Sequence, residues 1–189
     1  MVDSKPQKKG RSQMVFVKRY FLFWFAVSLL FARQAFSAPV ELMPVSGFDL
    51  DRYLGKWYEI ARLPIRFEKK LINVTATYSL RKDGKVKVIN EGYKETKTGK
   101  HKIAVGKAKF KASPDRGYLR VSFFGPFYGD YVIIELDPEY KYAMVASSRK
   151  YLWILSREPK MDSVVLERLV KKAEELGFDT SRLYFTPQD

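Results

Sequence analysis

The sequence predicts an all-β fold: an eight-stranded antiparallel up-and-down barrel followed by one C-terminal α-helix and a short final strand. Two observations carry this. From Gly55 onward, eight short strand-like runs follow one another at close spacing, each bounded by turn residues. The connections are too short for the long returns of a Greek-key sandwich. Near the end the apolar period lengthens once, from strand-like to helical.

The predicted strands are Lys56 to Arg62, Val74 to Arg81, Lys85 to Tyr93, Lys102 to Lys111, Tyr118 to Phe124, Tyr131 to Leu136, Tyr142 to Ser147 and Tyr151 to Arg157. Asp83-Gly84 supplies a tight hairpin, "SPDRG" a proline and a closing glycine, and "DPEY" a proline-started turn. In "MDSVVLERLVKKAEELGF", Val165, Leu169, Ala173 and Leu176 form one stripe. Asp162 or Ser163 is its N-cap and Gly177 its C-cap. Leu183 to Phe185 is a last short apolar run.

Ahead of the barrel, residues 1–37 read as an export signal. Basic positions precede the apolar run "YFLFWFAVSLLF", and small residues follow it in "ARQAFSAP". The expected cleavage lies near Ser37/Ala38, with Ala35 three positions before the cut. That leaves 38–189 as the folded domain. Met14 as an alternative start and an uncleaved anchor both stay open, as does glycosylation of the Asn73-Val74-Thr75 sequon.

The chain carries a net charge of +14. Residues 1–37 hold seven of its 35 basic residues and one of its 21 acids, so the domain keeps +8. Lysines alternating with apolar residues in "KVKVINEGYK" and "KIAVGKAKFKA" describe a solvated sheet face. Nucleic acid is not an expected partner, whereas a weak attraction to anionic membrane surfaces is allowed. There is no cysteine, so packing alone holds the domain together and no thiol can carry a lipid anchor. The expected product is exported and soluble in the periplasm or medium, with outer-membrane association as the alternative.

A barrel of about eight strands is wide enough either to fill with side chains or to hold one small ligand. Residue parity places Tyr131 and Ile133, Tyr142 and Met144, and Tyr151 and Trp153 in the interior with Tyr78, Val88 and Phe123. Glu135 shares the parity of Tyr131, so an inward Glu135 would need a partner or a proton. Periodicity alone does not separate a filled core from a cavity.

Three motifs, "GKWYEIAR", "GDYVIIELDPEY" and "YLWILSREP", stand in order with "NVTATYSL" and "VSFFGPFYG" between them. From about Val45 onward the chain resembles a lipocalin, within the bacterial lipocalins related to apolipoprotein D. The resemblance implies that Gly55 turns the chain tightly into the barrel and that Trp57 plugs the closed end beneath Arg157. It also implies that Asp130 ties a closed-end loop and that Trp153 lines the cavity. Bacterial relatives frequently carry a lipidated cysteine; its absence here counts against outer-membrane anchoring.

The expected ligand is a fatty acid, lysophospholipid or similar hydrophobic small molecule, with no cofactor and no metal. Catalysis is not expected: His101 is the only histidine and lies between Lys100 and Lys102. A third class is an interaction protein whose exposed "FFGPFYG" loop, Phe123 to Gly129, contacts a membrane or forms a homodimer.

Overall fold

The computed structural model describes residues 41–66, 70–96 and 98–189. The export signal and its cleavage site lie outside the described residues. The elements are α1 (Leu50–Tyr53), β1 (Gly55–Arg62), β2 (Leu71–Leu80), β3 (Val86–Lys94), β4 (His101–Phe110), β5 (Tyr118–Phe124), β6 (Phe127–Leu136), β7 (Tyr142–Ser148), β8 (Tyr151–Ser156), α2 (Ser163–Glu175), a 3-10 turn (Thr180–Arg182) and β9 (Tyr184–Phe185). Strands β1 to β8 pair antiparallel with their chain neighbours, and β1 pairs with both β2 and β8, which closes the barrel. Closure removes both sheet edges.

The helix forms as its sequence dictates. The Asp162 carboxylate accepts from Val164 N at 2.9 Å and Val165 N at 3.1 Å, satisfying two orphan amides of the first turn. Gly177 ends it in the left-handed region at φ +82°. Its stripe of Val165, Leu169, Ala173 and Leu176 packs on the outside of the barrel, against Ile134, Met144, Leu152 and Ile154.

The described residues therefore form two hydrophobic cores that share a wall. One fills the lower barrel around Trp57, Tyr53, Val88, Ile133 and Val145. The other lies between α2 and the outer faces of β6, β7 and β8. Through residues 132–134, 143–146 and 152–155 these strands are apolar on both faces, so their alternation is lost there and parity cannot be read from size.

Tyr142 and Met144 are the consequence. Both belong to the outer core, while the small residues Ala143 and Val145 face inward. Glu135 is corrected for a different reason: a bulge between Ile133 and Glu135 shifts the register, so Glu135 pairs with Met144 on the outer face. There Arg168 of α2 donates to it at 3.1 Å.

Other boundaries differ locally. β2 starts at Leu71 because a bulge between Ile72 and Thr75, with Asn73 at φ 50°, hides the alternation. The stretch expected as a loop from Phe123 to Gly129 is a two-residue hairpin, Gly125-Pro126, joined by a cis peptide. Phe124 and Phe127 pair across it.

Beyond Tyr58 and Thr75 the ladder between β1 and β2 ends, and the C-terminal tail occupies the seam. β9 pairs with β1 at Ala61 and Arg62. Thr186 N donates to Ile60 O at 2.9 Å and Asn73 N to Pro187 O at 2.8 Å. Gln188 Nε2 donates to Glu59 O and Val74 O, each at 2.9 Å.

Candidate functional site

The site is built upward from the barrel floor. Gly55 sits at φ +94°, a conformation that favours glycine, and a Cβ there would stand 3.3 Å from Arg157 Nη1. The tight entry it permits leads directly into Trp57, whose indole is 0% exposed. Trp57 Nε1 donates to Tyr53 O at 2.8 Å, which satisfies its one polar atom. The Arg157 guanidinium lies 4.0 Å from the Trp57 ring centroid. It donates to Lys56 O at 2.9 Å, Arg52 O at 2.7 Å and Tyr140 O at 3.3 Å. One cation thus clasps the indole, α1, β1 and the turn after β6. Burial lowers the Arg157 pKa from its usual value.

Three phenols lie above this floor. Tyr131 OH lies 2.8 Å from Tyr53 OH and 2.7 Å from Tyr78 OH. Burial pushes Tyr53 and Tyr131 well above the ordinary phenol pKa, and their mutual proximity adds to the effect on Tyr131.

Higher still, the inner wall changes character. Val121, Phe123 and Trp153 pack against the inner core yet, like Tyr131 below them, stay partly accessible. Val88 and Ile133, which the sequence also assigns to the interior, are fully packed.

β1 brings a polar pair inward as well. A bulge between Glu59 and Ala61 places Glu59 opposite Leu155 and Arg62 opposite Trp153, both inner-face partners. Arg62 donates to Glu59, and Thr186 Oγ1 bridges them, donating to Glu59 at 2.5 Å and accepting from Arg62 at 2.9 Å. Burial pushes the Glu59 carboxyl up, while Arg62 and Thr186 pull it down. Arg62 stacks on Tyr184, 4.5 Å from its ring centroid.

The structure thus gathers Tyr78, Val88, Phe123, Tyr131, Ile133 and Trp153 on the inner side and leaves Tyr142 and Met144 outside. Gly55, Trp57 and Arg157 form the floor. Asp130 does not: it sits on the outer wall, accepting from Tyr118 OH at 3.0 Å and Lys111 Nζ at 3.2 Å. Its strand neighbour Tyr131 faces in, so alternation turns Asp130 out. Sequence reasoning missed Tyr53 and the Glu59–Arg62 pair. Glu59 has the parity of Trp57, so a charged residue at an inward position was the available signal.

A single closed antiparallel barrel, sealed at one end and lined above with half-buried aromatics, defines a cup-shaped binding protein. The lipocalin-like domain family matches residues 48–188. The chain is 51% identical over 152 residues to "Outer membrane lipoprotein Blc" of Vibrio cholerae, covering 79% of this chain and 88% of the relative. It is 35% identical over 132 residues to apolipoprotein D of Rattus norvegicus, covering 65% and 66%. Insecticyanin from the tobacco hornworm Manduca sexta matches the fold with a TM-score of 0.65 at 21% identity, over 80% of this chain and 87% of that one. The chain belongs to the lipocalin family, in the group of bacterial lipocalins. Membership of this family implies that the chain binds small hydrophobic ligands.

The relatives also correct the expected location. The Vibrio cholerae protein and those of Escherichia coli and Citrobacter freundii, at 45% to 51% identity, are all named outer membrane lipoproteins. The reading of a soluble periplasmic or secreted product is therefore withdrawn. It rested on the missing cysteine, and a cysteine count speaks to one covalent mode of attachment, not to the surface at which a protein works.

Proposed function

We propose that the protein binds and carries long-chain fatty acids, lysophospholipids or amphiphiles of that shape, and that it performs no catalysis. The observation that supports this best is the division of the inner wall, with a fully packed floor below and partly accessible Val121, Phe123, Tyr131 and Trp153 above it. The energetics allow it. Burying about sixteen methylenes gains on the order of 12 kcal/mol gross, against an association cost of about 4–15 kcal/mol. Micromolar binding then needs few polar contacts. In the same proposal residues 1–37 direct export and 38–189 fold as the carrier.

Titration with palmitic acid tests it. The indole of Trp57 is sealed under Arg157, so the ligand-dependent tryptophan fluorescence of the folded domain belongs to Trp153. Trp153→Phe should lose most of that change and bind several-fold more weakly. An unchanged response and affinity in Trp153→Phe would remove Trp153 from the ligand path.

A second reading rests on Phe124 and Phe127, 76% and 78% exposed at the β5–β6 hairpin. Side chains of this kind at a turn suit contact with a membrane surface or a second copy of the chain. Phe124→Ser with Phe127→Ser should reduce sedimentation with anionic vesicles or shift the sedimentation coefficient toward monomer. No change in either would dismiss the hairpin as a contact.

A further inference from the structure

At the centre of β3, Asn90 brings an amide to the inner wall. Its register partners are Ala76 on β2 and Ala104 on β4. Ala76 packs against the inner core, as does Val88 two residues before Asn90, so the three share the inward face. The two flanking alanines stop at Cβ and leave room in front of the amide. Asn90 Oδ1 is buried and meets no hydrogen-bond partner among the described residues. Two hydroxyls in the same condition, Thr75 Oγ1 and Ser122 Oγ, belong to the opposite face. Their register partners Tyr58 and Lys107 lie there too. A buried amide oxygen without a partner is unfavourable and uncommon in folded proteins. Here it stands on the central strand position of β3, between two alanines and next to the packed Val88.

Height fixes which part of a ligand meets it. β3 has nine residues. At ~3.3 Å each and a tilt of about 40°, the wall is roughly 23 Å tall, comparable to an extended long-chain fatty acid. Val88, two residues lower, already belongs to the packed floor, so Asn90 stands about 13 Å below the rim, and an acyl chain with its carboxylate at the rim brings roughly its tenth carbon to the amide.

We propose that Asn90 is a specificity-determining contact for acyl chains that carry a hydroxyl near their middle. A hydroxyl both donates and accepts, so it pairs with the amide through either Oδ1 or Nδ2. A plain chain leaves the amide bare. In a wall lacking the amide the penalty reverses, because the hydroxyl then gives up water for nothing. This inference rests on the carrier reading above and names the ligand class within it.

The test compares stearic acid with 10-hydroxystearic acid on the full chain, for the wild type and Asn90→Leu, following Trp153 fluorescence. The wild type should bind the hydroxylated acid at least as tightly as stearic acid. Asn90→Leu should bind it at least tenfold more weakly than stearic acid. In the wild type, the Asn90 side-chain amide resonances, assigned by their loss in Asn90→Ala, should shift with the hydroxylated acid and stay in place with stearic acid. If Asn90→Leu does not fold, Asn90→Ala and these resonances decide. A discrimination ratio unchanged by the substitution overturns the proposal, as does an amide that ignores both ligands. Binding of neither acid by the wild type would overturn the carrier reading together with this one, an outcome distinguished by a silent Trp153.

Discussion

Trp57 and Arg157 act as one unit, because the indole is sealed only while the guanidinium covers it and the guanidinium is aimed only while its three carbonyl acceptors stay in place. Trp57→Ala should cost ~3–5 kcal/mol, since it empties a fully buried volume. Arg157→Ala should lose part of the same energy. A double-mutant cycle by urea unfolding should return a coupling of about 1–2 kcal/mol. Strictly additive losses would mean that the stacked geometry contributes nothing. This pair was readable in the sequence because its residues lie in recognisable motifs with fixed spacing. Tyr142 and Met144 were not readable, because two apolar faces on one strand carry no parity signal and the larger side chain is not the inner one. Glu135 was misplaced by a single bulge, a feature that alternation cannot show.

Among the elements, the hairpins, α2 and its Asp162 cap were legible, since turn residues and a change of period mark them. The four-residue α1 and the tail were not: a single helical turn has too few residues to show a period, and two-residue β9 has its partner far away in the chain. The tail has the clearer experimental signature. Glu59, Arg62 and Thr186 form a buried polar cluster in which each member satisfies another, and removing one member strands the rest. Thr186→Val should cost about 1–3 kcal/mol. It should speed hydrogen exchange at the Asn73 amide, which donates to Pro187 O, more than at amides of β6 and β7. Uniform acceleration throughout the barrel would show that the seam does not open by itself.

For the whole molecule, the phenol trio sets a limit on alkaline stability. Tyr53 and Tyr131 titrate above their unfolded values, so their contribution is complete below the unfolded phenol pKa near 10. It is lost as pH rises from there toward the folded values. The melting temperature should fall steeply above about pH 10, and Tyr131→Phe should flatten that fall. An equal slope in the variant would assign alkaline unfolding to other groups. The way the barrel closes also has a consequence in time. β1 is the first strand of the barrel to leave the ribosome, yet its partners β8 and β9 are the last, and Glu59 meets Thr186 across 127 residues of chain. Contacts that distant must meet a loop-closure cost before they contribute anything. β2 to β7 can assemble as a growing meander, but β1 waits with one flank bare until the end of the chain arrives. The cup therefore takes its final form only after synthesis of its last strand, and until then the chain remains an open ribbon.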